Sequence, residues 1–180
     1  VAGERTDKRW AEDAAAFVRA IDKLPLPVKD APGFLVNRVL GPYLAAAFRM
    51  LEEGVQPEAL DKAATDFGMP MGPIELADVV GLDICIAAGR SIGGTHAEPP
   101  VRLAKLVDAK KLGKKSGEGF YRWQNGKAVK TEARKVPPGV IERLISPYVA
   151  EAKKAVDEGI VSDADLADAG LIFGTGFAPF

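Results

Sequence analysis

The chain has 180 residues, 47% of them hydrophobic, with 24 basic and 25 acidic residues and a formal net charge of −1, which provides for one core or two small ones and gives no broad field for nucleic acid or an anionic membrane. Charged residues Glu4, Arg5, Asp7, Lys8, Arg9, Glu12, Asp13 and Arg19 exclude a signal-peptide core or a membrane span from the first twenty positions. One cysteine, Cys85, and one histidine, His96, exclude an intrachain disulfide and a zinc-like Cys/His cluster, and a reducing, cytoplasmic compartment fits best.

From Asp7 to Ile21 the apolar positions Trp10, Ala14, Phe17, Val18 and Ile21 recur at helical spacing. Leu24 to Val28 then reads as a short strand broken by Pro25 and Pro27. A lone strand needs a sheet, so residues 1–29 read as the tail of an α/β domain lying outside the chain; the alternative is a tag-proximal helix on a disordered tether. Val1 and Phe180 both read as cut ends.

Asp30-Ala31-Pro32-Gly33 forms a turn, with Asp30 expected to cap the following helix. That helix runs to about Glu53 on the stripe Val36, Val39, Leu40, Tyr43, Leu44, Ala47, Phe48 and Leu51, with Pro42 bending it and Gly54 ending it. Pro57 opens a second helix that ends before Gly68, and Met69–Pro73 is a tight turn. Ile74–Ile92 holds one or two more helices, interrupted near Gly81. A Gly- and Pro-rich loop follows, then a helix over Val101–Lys111, then a hairpin at Asn125-Gly126 and a linker over Thr131–Pro138.

After the linker the pattern restarts. Leu35–Ala59 can be laid on Val140–Ala164 at an offset of 105 (140 minus 35), pairing Arg38 with Arg143, Pro42 with Pro147, Tyr43 with Tyr148, Glu53 with Glu158 and Gly54 with Gly159. One inserted residue then pairs Phe67 with Phe173, Gly68 with Gly174 and Pro73 with Pro179. Two such copies bury their faces on each other like a two-fold dimer within one chain. The second copy stops before its later helices, so self-association through a bare apolar face is expected.

The copies differ at one polar position, where Asn37 pairs with Glu142. Asn37 lies about 100° around the helix from Val36, at the edge of the stripe. Its carboxamide can donate and accept, which suits a group that holds a hydroxyl in one state and a carbonyl in the other. Spacing alone leaves two readings open, this one and an edge-of-core asparagine bonded to nearby backbone.

Asp30-Ala31-Pro32-Gly33-Phe34-Leu35-Val36-Asn37-Arg38, Gly68 through Asp78, and Gly81-Leu82-Asp83 resemble the signature of the 3-hydroxyacyl-CoA dehydrogenase C-terminal domain, and Gly113–Tyr121 resembles its closing motif. The resemblance spans most of residues 30–121, and the tandem copy resembles the multifunctional fatty-acid-oxidation enzyme. It implies a mainly α fold: a helical, 6-phosphogluconate-dehydrogenase-like domain at 30–130, a linker and truncated second helical repeat at 131–180, and a short α/β tail of an NAD-binding domain at 1–29. It also implies that Asn37 contacts the 3-hydroxyacyl-CoA substrate near the reacting carbon and that Lys115 contacts the cofactor, NAD. By itself Lys115 reads as a solvated surface lysine.

The family's catalytic His and partner Glu lie in the NAD-binding domain, so no catalytic residue and no metal ligand is expected here, and the chain alone should be inactive. His96 sits in a Gly/Pro loop without a carboxylate partner at a telling spacing, and Gly117/Gly119 and Gly174/Gly176 lack the third glycine of a dinucleotide-binding turn. A thiolase subunit is a candidate partner of the parent enzyme. The competing reading is a non-catalytic helical assembly module, which fits the stripes and repeats equally well; the Asn37/Glu142 difference is what such a module has no need of. A third reading keeps the enzyme class and changes the hydroxyacid, against which Met69–Asp78 argues.

Overall fold

The computed structural model describes residues 1–93, 98–132 and 135–177. His96 and the Pro73/Pro179 pairing fall outside them, as does Phe180. Helix α1 (Lys8–Ala20) begins where the extended Asp7 accepts a hydrogen bond from the Arg9 N–H, and it buries none of its residues. The strand expected at Leu24–Val28 does not form. Lys29 makes one isolated parallel bridge to Ala2 and donates its N–H to the Ile160 carbonyl at 2.9 Å. Extended backbone needs a partner ladder to become a strand, and only single bonds are offered here.

Asp30 does not cap the next helix either. Helix α2 (Val36–Glu52) starts behind buried Leu35 with no side-chain cap, because the chain first turns through Gly33 and Phe34, both at positive φ. The turn is tight: a Cβ on Gly33 would lie 2.8 Å from the Arg38 nitrogen. Helix α2 continues through Pro42 to Glu52. Helix α3 (Pro57–Phe67) is closed by left-handed Gly68, as expected of a C-terminal glycine.

Helices α4 (Pro73–Val80) and α5 (Leu82–Gly93) flank Gly81, whose φ of 106° breaks the helix. Helix α6 (Val101–Asp108) stops one turn before the expected Lys111, with Lys110 at positive φ. A 3-10 turn at Lys114–Ser116 leads into β1 (Arg122–Gln124) and β2 (Lys127–Val129), paired antiparallel with Trp123 opposite Ala128. Asn125 and Gly126 both take positive φ, the I′ geometry that suits a two-residue hairpin. Helices α7 (Val140–Asp157) and α8 (Ala164–Thr175) complete the order.

The repeat is visible as reciprocal contacts. Helix α2 lies against α7, α3 against α7, and α2 against α8. Tyr43 and Tyr148, equivalent in the two copies, meet edge to face at 6.1 Å. Arg38 pairs with Glu158 at 2.7 Å while Arg143 pairs with Glu53 at 2.7 Å, which is the i-to-j, j-to-i signature of a two-fold interface. The core is continuous across the two copies, from Val39, Tyr43 and Met50 to Leu144, Tyr148 and Val161.

The second half of the repeat is displaced by one residue from the sequence alignment. Buried Leu60 and Ala64 correspond to buried Ala167 and Leu171, an offset of 107 (167 minus 60). Phe67 therefore corresponds to Gly174, which lies inside α8, and the helix ends at left-handed Gly176. Phe173, the expected counterpart of Phe67, is 72% exposed.

The reciprocal ion pairs give the interface an acid sensitivity. Hydrogen bonds from Arg143 and Arg38 hold Glu53 and Glu158 below the ordinary glutamate range. The unfolded chain then binds more protons, so these groups contribute stability above about pH 4.5 that is lost as pH falls through their folded-state pKa values. Urea midpoints measured from pH 7 to pH 3 should fall in acid, and less steeply in Arg38→Ala/Arg143→Ala than in the parent.

Candidate functional site

Asn37 occupies the first turn of α2, and its side chain faces solvent rather than the core edge. Among the described residues the carboxamide makes no hydrogen bond, so it is not the backbone-bonded asparagine that spacing also allowed. Its neighbours are fixed. Leu35 is buried, and Arg38 is held by Glu151 at 2.6 Å and by Glu158; those hydrogen bonds raise the Arg38 pKa further. Asn37 thus projects from a backbone anchored on both sides.

On the Glu142 side of the pseudo-dimer a 520 Å³ cleft opens between Phe67 and Ile141, Ile145 and Val149. At the equivalent place beside Asn37, Gly174 stands where Phe67 would, and a Cβ there would lie 2.6 Å from Val36. The helices pack more closely on the Asn37 side.

Lys115 projects from the 3-10 turn, its ammonium 2.5 and 2.7 Å from the two carboxylate oxygens of Asp83, with both side chains partly exposed. Hydrogen bonding from Lys115 lowers the Asp83 pKa. A Cβ on Gly81 would lie 3.0 Å from the Lys115 ammonium, so the missing side chain there leaves room for the lysine to lie flat. Asp83 stands in the first turn of α5, and Ile92 near its end reaches a Cβ position on Gly33 within 2.9 Å. Lys115 and Asn37 are therefore associated with opposite ends of α5, about 14 Å apart along its axis at 1.5 Å per residue. No hydrogen bond joins them.

Two buried carboxylates, given no role in the sequence reading, hold this surface together. Asp78, fully buried in α4, accepts from the Phe120 and Tyr121 N–H groups at 2.9 Å and from the Trp123 indole at 3.0 Å. The closing motif comes close enough to make these bonds because of its glycines: a Cβ on Gly113 would sit 2.2 Å from the Asp78 carbonyl oxygen, and one on Gly119 would sit 2.2 Å from its carboxylate. Asp61, in α3, accepts from the Ile74 N–H, the Tyr121 hydroxyl and the Lys130 ammonium. Burial pushes its pKa up, and Lys130, Tyr121 and Ile74 pull against that rise. The signal was present in the sequence: each aspartate lies beside alanine and leucine positions of a helical apolar stripe, where an acid is expensive unless it is bonded.

Among the described residues no group of three or more His, Cys, Asp or Glu could hold a metal ion, and no helix is long and apolar enough to cross a membrane. Nor do they contain a strand–glycine turn–helix cradle for a dinucleotide. Lys115 is a partly exposed cation, paired with Asp83 and lying over Gly81.

These features define a helical, internally two-fold unit with an exposed asparagine at the start of α2 and a lysine paired with Asp83 beside the clasped closing motif. The chain belongs to the 3-hydroxyacyl-CoA dehydrogenase C-terminal domain family, whose model matches residues 33–123, half of its length. It is 34% identical over 206 residues to the fatty acid oxidation complex subunit alpha of Pseudomonas syringae, a match using all of this chain and 28% of that protein. The chain thus spans just over a quarter of such a relative.

Among solved structures, 3-hydroxybutyryl-CoA dehydrogenase from Escherichia coli superposes with a TM-score of 0.78 at 23% identity, over 98% of this chain and 57% of that one, and shows the shared fold. The dehydrogenase part of multifunctional enzyme 1 from C. elegans matches with a TM-score of 0.70 at 25% identity, over 98% of this chain and 44% of that one. Both superpositions cover both helical copies.

Proposed function

We propose that this chain is the helical, substrate-side part of an NAD-dependent L-3-hydroxyacyl-CoA dehydrogenase of fatty acid β-oxidation. The supporting observation is the unbonded carboxamide of Asn37 on a rigidly anchored helix start, within the region matched by the family model. In this reading residues 1–29 belong to an NAD-binding domain that supplies the catalytic His and Glu. Residues 30–130 form the first helical domain, and residues 131–180 form the linker and second repeat.

Asn37 would donate to the substrate oxygen at C3 when it is a carbonyl and accept from it when it is a hydroxyl. Orienting that oxygen aligns the C3 hydrogen for transfer, and the helices around it exclude water. Bound NAD would supply the hydride acceptor. Lys115 would place a point charge against the anionic cofactor, leaving Asp83 to do so.

A cytoplasmic location follows from this reading. The complex in the relative's name supports a partner subunit, for which a thiolase is proposed. In the isolated chain, the uncovered Trp10, Phe17, Ile21 and Leu24 favour self-association.

The test is to join the upstream domain to this chain and follow acetoacetyl-CoA-dependent oxidation of NADH. Activity is expected there and none in the chain alone; a well-folded, inactive longer protein refutes the reading in favour of a helical assembly module. In the same assay Lys115→Ala should raise KM for NADH about tenfold, the loss of one charge-assisted contact, with KM for acetoacetyl-CoA within twofold of the parent.

A further inference from the structure

Helix α1 and its connector are attached to the rest of the molecule at a place that neither repeat symmetry nor the proposed chemistry requires. No residue of α1 is buried. Past it, Leu26 and Val28 are half-buried against the core, and the Lys29 N–H reaches the Ile160 carbonyl between α7 and α8. Leu26 lies over Gly170 of α8, where a Cβ would come 2.4 Å from one Leu26 methyl and 3.0 Å from a Leu35 methyl. The matching position in the first copy, at the 107 offset, is Ala63. The socket is therefore special to the second copy, and it receives a segment that precedes the first.

We infer that the second helical repeat is an intramolecular docking surface for the connector at residues 24–29, with Leu26 seated on Gly170 as a positioning residue. The connector is what joins α1 to α2, so whatever α1 belongs to is hung from α8 rather than from a free tether. A free six-residue segment samples many backbone states. One fixed by an apolar socket and a long-range hydrogen bond holds its two ends in register. On the function proposed above, that register sets where Asn37 stands relative to the catalytic groups of the upstream domain. The second repeat would then influence turnover without touching substrate.

Two measurements test this. In the chain as it stands, hydrogen exchange should show the Lys29 amide exchanging at least tenfold faster in Leu26→Ala than in the parent, with peptides from α2 and α7 unchanged. Unchanged exchange at Lys29 overturns the docking. Gly170→Ala should have the same effect, but it also presses on Leu35, so Leu26→Ala decides. In the full-length enzyme Leu26→Ala should lower kcat several-fold while KM for NADH stays within twofold; faster exchange with unaltered kcat overturns the positioning role. A full-length parent without dehydrogenase activity would refute the proposed function and leave the exchange result standing.

Discussion

Replacing Asn37 with alanine in the full-length enzyme is expected to reduce kcat about 100-fold, the usual cost of removing one preorganised donor to a reacting oxygen, with thermal stability unchanged. The stability half of this expectation rests on exposure: Asn37 faces solvent, and its side chain bonds to nothing among the described residues. Alanine is also a better helix former, so α2 loses nothing locally. The activity half rests on the anchored backbone around it, since Leu35 is buried and Arg38 is tied by two carboxylates. The informative control is Asn37→Asp, of similar shape but acceptor-only when ionised, which should be as poor as alanine in the direction that starts from the ketone. Unchanged steady-state kinetics for both variants would remove Asn37 from the site.

The largest stability effect is expected at Asp78. Alanine there would leave the Phe120 and Tyr121 N–H groups and the Trp123 indole without their acceptor in a buried setting. One unsatisfied buried donor costs about 1–3 kcal/mol, and relaxation lets water reach some of the three, so a loss of about 3–5 kcal/mol is expected. Urea unfolding measures it directly. Gly113→Ala should do comparable harm from the opposite side, because its Cβ would collide with the Asp78 backbone and its φ of 92° disfavours any side chain. If Asp78→Ala unfolds at the parent's urea midpoint, the clasp between α4 and the closing motif does not hold that motif in place.

Much of the first helical domain was legible because its signals are local. Pro57, Pro73, Gly54, Gly68, Gly81 and Asn125-Gly126 each dictate a start, a stop or a turn through their own backbone preferences, and the structure places elements accordingly. The two-fold arrangement was legible for a different reason. The paired Arg38/Arg143 and Glu53/Glu158 positions that revealed the repeat are the ones that bond across it.

What failed depended on distance. The expected strand at Leu24–Val28 found an α7–α8 carbonyl and a socket in α8 instead of a sheet, and nothing nearby in sequence announces Ile160 or Gly170. Asp30 could not cap α2 because Gly33 and Phe34 turn the chain between them. Between α3 and α8 the Phe-Gly match in sequence and the burial period disagree by one residue, and the burial period follows the packing. The Glu142 counterpart marks Asn37 in the sequence, but its exposure to solvent depends on how α2 packs and not on its position along the stripe. The carboxylates that fix the closing motif, Asp61 and Asp78, reach Phe120 and Tyr121 across 42 to 60 residues of sequence.

The linker between β2 and α7 has a consequence for how the two copies stay together. Two separate chains meeting through an isologous face of this kind come apart on dilution, whereas a tether of roughly ten residues keeps each copy in the other's presence at an effective concentration in the millimolar range. The pairing then no longer depends on how much protein a cell makes. It also frees one partner from symmetry. In a true dimer, any change in one polar rim residue appears twice, but here Glu142 can differ from Asn37 without the change being imposed on the other half.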